Sequence, residues 1–317
     1  GVQTCALPIC KHKGKFLGVS EAGLITKHGN NAGLDYLVNL GITHVQLMPI
    51  FDFATVDENQ PHLLYNWGYD PAQYNVPEGS YCSDPNDGYS RVLECKEMIA
   101  RLHRHGLRVI MDVVYNHMYD VNASPFERIV PGYYFRKNMD GTLSNGSWCG
   151  NDLESCNYMV RKYIVDMSRR WQSFYGVDGY RFDLMGIIDI ETINQVYQIC
   201  HSYDKSFMVY GEGWNMPTSL PDDQKAMQFN HYKMPNISFF NDEFREVIKG
   251  GSSDGVLVNK GFITGNLYET ERARNCIMAC NRYTSPDQSI NYVECHDNAT
   301  IFDKLYISNV EEGLNGI

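Results

Sequence analysis

Apolar positions fall into two alternating patterns along this chain. Stretches with helical spacing close on a glycine, and short unbroken apolar runs follow. Ala32 to Asn39 leads through Gly41 into the run Ile42 to Pro49. Arg91 to His105, with Val92, Leu93, Ile99 and Leu102 at helical spacing, passes through Gly106 into Leu107 to Val114. Met159 to Tyr175 places Val160, Tyr163, Ile164, Met167, Trp171 and Phe174 near one face and stops at Gly176. Thr192 to Ser202 feeds Phe207 to Tyr210, and Ile237 to Phe240 and Ile290 to Glu294 are two more apolar runs. A glycine just past a helix end supplies the left-handed cap. Runs without polar alternation predict strands buried on both faces, as in a parallel sheet with helical crossovers.

Closed on itself, such a sheet is an α/β barrel of the TIM type, (β/α)8, with its site on the loops that follow the strands. About six of the eight strands are visible, so the expectation is a partial barrel lacking its first and last strands. Residues 51–90 and 118–158 form two long connections on the face where the strands end. Loops beyond about 15 residues are usually functional or carry small subdomains.

Four strand ends carry polar chemistry. Gly179-Tyr180-Arg181-Phe182-Asp183 and Val209-Tyr210-Gly211-Glu212 each end on one carboxylate. Tyr292-Val293-Glu294-Cys295-His296-Asp297-Asn298 and Met111-Asp112-Val113-Val114-Tyr115-Asn116-His117 complete the set. Two carboxylates from neighbouring strand ends are what a glycosidase needs, one as nucleophile and one as proton donor. Arg181 lies two residues before Asp183 and shares its face, where a fixed guanidinium favours the ionised nucleophile. Glu212 then acts as acid and base, its pKa raised by apolar neighbours such as Trp214. Asp297 is placed as a third carboxylate supporting the transition state, His117 and His296 as donors to sugar hydroxyls, and Asp112 as a brace for Arg181. Any one of these alone reads as a buried ion pair capping a strand. It is the joint set that reads as a catalytic site.

Composition narrows the partners. A chain of 317 residues, 43% hydrophobic, is long enough for one barrel-type core. Its net charge of −11, without a basic patch, argues against nucleic acid. No run approaches the ~20 apolar residues that span a bilayer, so no membrane partner is expected. The 22 tyrosines suit a sugar ligand, because an amphipathic ring both stacks and hydrogen-bonds. The 10 cysteines show neither a disulfide-scaffold nor a metal-site spacing, Cys276/Cys280 and Cys149/Cys156 included. They read as reduced thiols and point to the cytoplasm. Residues 1–9 resemble a translated sequencing adapter and are set aside; residues 10–317 are taken as the partial catalytic barrel.

These four segments resemble, in order, the signature regions of the alpha-amylase superfamily, glycoside hydrolase family 13. The resemblance implies a retaining mechanism with Asp183 as nucleophile, Glu212 as acid/base and Asp297 as transition-state stabiliser. It also implies substrate binding by Arg181, His117 and His296. Tyr65-Asn66-Trp67-Gly68-Tyr69-Asp70-Pro71, followed by Pro77-Glu78-Gly79-Ser80-Tyr81, is similar to the signature of type I pullulanases, in which Tyr69 stacks on the sugar at the cleavage point. Asp70 departs from the usual Asn, and Cys295 from the usual Ser. The resemblance implies accessory domains outside this chain, no required cofactor, and calcium in many relatives, for which Asn116 is the candidate ligand. The expected activity is cleavage of alpha-1,6 branch linkages in an alpha-glucan polysaccharide or oligosaccharide by a monomer. The alternatives are an alpha-1,4-acting amylase or transglycosylase of the same superfamily and a non-catalytic glycan-binding homologue.

Overall fold

A computed structural model describes residues 11–253, 255–279 and 282–310. The adapter-like residues 1–9 and Cys280 lie outside the described residues. Strands occur at β1 (His44–Leu47), β2 (Phe51–Phe53), β3 (Pro71–Pro77), β4 (Arg108–Val113), β5 (Gly179–Phe182), β6 (Met208–Gly211), β7 (Ser238–Phe240) and β8 (Ser289–Ile290). Helices occur at α1 (Phe16–Val19), α2 (Gly33–Asn39), α3 (Gly88–Arg104), α4 (Pro125–Ile129), α5 (Tyr158–Arg170), α6 (Ile190–Tyr203), α7 (Asp242–Lys249), α8 (Thr270–Ile277) and α9 (Ile301–Val310). The chain divides into two compact units, one ending at Asn230 and one beginning at His231.

In the first unit β1, β4, β5 and β6 pair side by side, all parallel, each reached through a helix. This is the alternation of an incomplete (β/α)8 barrel. Every residue of β5 is buried, and all of β4 after Arg108. That accounts for unbroken apolar runs, since a strand covered on both faces has no side left for polar residues. The long connection after β1 contains a hairpin of its own, β2 against β3, antiparallel with two register shifts.

Helix α5 departs from its expected face. Val160, Ile164 and Trp171 are buried as the spacing predicts, but Phe174 is 41% exposed and Tyr175 takes its place in the core. The cause is a wide π-helical turn over Trp171–Tyr175, which advances the face by one residue before Gly176 closes it at φ 85°. Gly176 is thus the left-handed cap the sequence predicts.

The second unit carries the parallel pair β7–β8 and helices α7, α8 and α9. Val247, Ile248, Ala273 and Cys276 form its core. Lys304 is fully buried and donates to the carbonyls of Gly251 (2.8 Å), Leu257 (2.5 Å) and Asn259 (2.6 Å), folding that loop around one ammonium. The expected strand Ile290 to Glu294 stops at Ile290. Its ladder partner Phe240 is the last residue of β7, so the backbone beyond has no neighbour there to pair with. Among the described residues, no helix is long and apolar enough to cross a membrane.

Candidate active site

Strand register assembles the site. Asp112 on β4 sits opposite Arg181 on β5. Phe182 sits opposite Gly211 on β6, so the next residues, Asp183 and Glu212, leave adjacent strand ends together. Gly211 is required there, because a Cβ would come within 2.6 Å of the Phe182 carbonyl. The Arg181 guanidinium, 2% exposed, is the hub. Its Nη1 donates to Asp112 Oδ1 (2.9 Å) and Asp183 Oδ1 (2.8 Å), and its Nη2 pairs with Glu212 Oε1 (2.6 Å).

Asp183 also accepts at Oδ2 from Asn116 Nδ2 (2.8 Å), and the same amide bonds the Asp183 carbonyl (2.9 Å). The Asn116 oxygen faces His117 Nδ1. Both ends of Asn116 are therefore engaged, the amide nitrogen with Asp183 and the oxygen with His117. His117 Nε2 faces the Tyr69 carbonyl (3.0 Å), so to donate to a sugar hydroxyl it must give up that partner. Tyr69 donates its hydroxyl to Asp112 Oδ2 (2.8 Å), and its ring centre lies 5.8 Å from the Arg181 guanidinium carbon.

One participant has no signal in the sequence. Leu184, directly after Asp183, adopts the left-handed conformation (φ 41°), and its N–H donates to Glu212 Oε2 (3.0 Å). Glu212 is thus held at one oxygen by a guanidinium and at the other by a backbone amide.

Burial sets the protonation states. It pushes Glu212 up to about 7, with Arg181 opposing and the Asp183 charge adding to the rise. Asp112, wholly buried, is raised to about 6 by burial, again against Arg181. Burial works against the Arg181 charge, yet Asp112, Glu212 and Asp183 outweigh it and hold its pKa well above the ordinary value. His117 is lowered by burial, with Asp183 pulling the other way. Burial and the neighbouring Asp112 raise Tyr69. A carboxyl that is protonated near neutrality beside one held by Arg181 and Asn116 is the pairing that acid-assisted displacement needs.

The remaining expected residues each have their own surroundings. Trp214, two residues after Glu212, is half-buried, and its carbonyl packs where any Cβ on Gly186 would stand, at 1.9 Å. His296 and Asp297 belong to the second unit, where His296 Nε2 lies 3.6 Å from Asp297 Oδ2 and the Asp297 side chain is half exposed. Cys295 beside them points its sulfur at the Asp297 carbonyl. Asp70 accepts from the Thr55 N–H (2.8 Å), the Thr55 hydroxyl (2.6 Å) and Asn66 Nδ2 (3.0 Å). An all-acceptor carboxylate suits these three donors. Among the described residues, one cluster has the spacing to hold a metal ion, Asp52, Glu58 and Glu78. Arg91 already engages Glu58 and approaches Asp52 at 3.8 Å, and burial with the two glutamates raises Asp52 to about 7.

Known proteins are similar to this chain in sequence and fold. Residues 23–138 match the family model for the alpha amylase catalytic domain. The pullulanase of Bacillus subtilis (strain 168) is 44% identical over 308 residues, covering 95% of this chain and 43% of the relative. Pullulanase A of Streptococcus pneumoniae is 35% identical, over 85% of this chain and 22% of its own length. The crystal structure of the pullulanase from Anoxybacillus sp. LM18-11 complexed with maltotriose superimposes with a TM-score of 0.93 at 46% identity, covering 95% of this chain and 43% of that one. The chain spans less than half the length of these relatives.

Proposed function

Because the chain belongs to the pullulanases of the alpha-amylase superfamily, we propose that it carries the catalytic centre of a retaining hydrolase of alpha-1,6-glucosidic branch linkages. The observation that carries this reading is the single buried guanidinium of Arg181 gripping both Asp183 and Glu212. Two carboxyl groups on one guanidinium are near neighbours, which favours the retaining spacing of about 5 Å over the wider inverting one.

In the first step Asp183 attacks the anomeric carbon while Glu212 gives its proton to the glycosidic oxygen. The carbon–oxygen bond breaks, and the glucan is held as an ester on Asp183. Glu212, now ionised, takes a proton from water, which attacks the same carbon and releases the ester. Arg181 holds both carboxyl groups in place, and the Leu184 N–H keeps Glu212 from rotating away. We assign Asp297 to stabilising the oxocarbenium-like transition state, and His117, His296 and Tyr69 to holding the sugar ring, on the strength of the motif match. This chemistry asks for no cofactor, and Asn116, engaged at both ends, serves it as a brace. Cys82, Cys95, Cys149, Cys156 and Cys200 are free thiols, which supports a reducing compartment such as the cytoplasm. We take the enzyme to act as a monomer.

The test is product analysis with pullulan and the full-length gene product. Maltotriose is expected, released first as the alpha anomer. Panose would move the activity to alpha-1,4 bonds, and no product from a folded protein would leave a glycan-binding role.

The proton donor has its own signature. With Glu212 raised to about 7 by burial, kcat/KM for pullulan should fall on the alkaline side with a midpoint near pH 7. A profile flat to pH 9 would remove Glu212 from the acid role.

A further inference from the structure

We propose that Trp148 is a substrate platform, its indole stacking on a glucosyl ring of the alpha-glucan at the rim of the cleft. This rests on the glucan-cleaving site described above and adds a residue that none of its signature motifs contains.

Trp148 is costly where it stands. Its φ is 58°, in the left-handed region that bulky side chains avoid. Such strain persists only where the surroundings impose it, and it clusters at functional sites. Two of the other non-glycine residues with positive φ, Leu184 and Asn298, directly follow Asp183 and Asp297. Burial of the indole does not offset the strain at Trp148, because the residue is 70% exposed. A glycine or asparagine would fill this turn with less strain, so the ring needs another reason to be there.

The surrounding loop is built to hold it. Asn145 Oδ1 accepts from the Gly150 N–H (2.7 Å) and closes the turn beneath Trp148. The fully buried Asp152 accepts from the N–H groups of Gly146 (2.9 Å) and Ser147 (3.0 Å) and from the Ser144 hydroxyl (2.6 Å).

The loop is stitched to the site on two sides. Asn151 bonds both backbone groups of Met118, next to His117, and the Leu153 N–H donates to the Asn116 carbonyl (2.8 Å). On the other side the Ser219 N–H, in the segment after Glu212, donates to Ser144 Oγ (3.1 Å). A Cβ on Gly146 would come within 2.9 Å of the Thr218 nitrogen, in that same segment. Cys149, adjacent to Trp148, is raised by burial and then by the charge of Asp183. The loop that carries the exposed indole therefore bridges the segments that carry His117 and Glu212. A flat apolar face there fits the C–H face of a hexose, while its N–H remains available to a hydroxyl.

The experiment compares Trp148→Gly with Trp148→Phe in the full-length enzyme. Trp148→Gly should raise KM for pullulan about ten-fold, the scale of one lost stacked ring, with kcat within about two-fold and the pH profile unmoved. Because glycine relieves the left-handed strain, its thermal midpoint should not fall. Trp148→Phe keeps a ring and should recover most of the affinity. Maltotriose titrated calorimetrically into the Asp183→Asn background should likewise bind about ten-fold more weakly once Trp148→Gly is added. Unchanged maltotriose binding, or equal behaviour of the glycine and phenylalanine variants, would overturn the proposal. Trp148-dependent maltotriose binding by an enzyme that leaves pullulan intact would uphold the platform and sink the alpha-1,6 reading. Pullulan cleavage indifferent to Trp148→Gly would do the reverse.

Discussion

Asp183→Asn is expected to lower turnover of pullulan by about four orders of magnitude or more, the scale seen when a catalytic nucleophile is removed. An amide cannot form the glycosyl ester, so the two-step route is closed and only general binding effects remain. The substitution also disturbs the hub. Asp183 accepts from Arg181 Nη1 at one oxygen and from Asn116 Nδ2 at the other. An asparagine has one acceptor oxygen, so its NH2 must face one of these donors. The Asp183 charge is also among the causes that raise Glu212 to about 7. Its removal should lower the Glu212 pKa, which can be followed by NMR with glutamate labelled at the carboxyl carbon. Steady-state rates on pullulan provide the first check. Residual turnover within ten-fold of the parent would place the nucleophile elsewhere, and a Glu212 pKa that does not move would mean that the two carboxylates are not electrostatic neighbours.

The cluster around Arg181 is legible in the sequence to the extent that strands dictate it. Arg181 and Asp183 share a face because side chains in a strand alternate, and the apolar runs before Asp183 and Glu212 mark strands buried on both sides. What could not be read was anything depending on the path of the backbone after a strand ends. Leucine at 184 gives no hint that its N–H turns towards Glu212, because a positive φ in a non-glycine residue is imposed by its surroundings. A 3.6-residue period places Phe174 near the face of Val160 and Ile164, and the π turn at Trp171–Tyr175 breaks that period by one residue. The run Ile290 to Glu294 has strand composition throughout, yet only Ser289–Ile290 forms ladder bonds, since pairing depends on the length of β7 as well as on β8. Asp70 stood out as a departure from the motif. Only its three donors, from Thr55 and Asn66, explain why a carboxylate is accommodated there.

Arg181→Met should cost about 3–5 kcal/mol of stability at pH 7, the range for breaking a buried ion pair by removing one partner. Methionine fills part of the space but leaves Asp112, Asp183 and Glu212 without the cation that each of them contacts. Arg181 is the cause that holds Asp112 and Glu212 down against burial, and they already stand at about 6 and about 7 with it present. Without it both rise further above their unfolded values near 4. A carboxyl whose folded pKa is raised contributes stability below its unfolded pKa, and that contribution is lost as pH climbs through the folded one. The deficit of Arg181→Met should therefore be smallest near pH 4–5 and grow up to and beyond pH 7. Denaturant unfolding of variant and parent across that range would reveal it. A constant deficit would mean that methionine costs packing alone and that the guanidinium is not the electrostatic keystone of the three carboxylates. Activity separates the roles further. Arg181→Lys returns a positive charge but not the planar fork that reaches Asp183 and Glu212 from two nitrogens, so it should recover stability more fully than turnover.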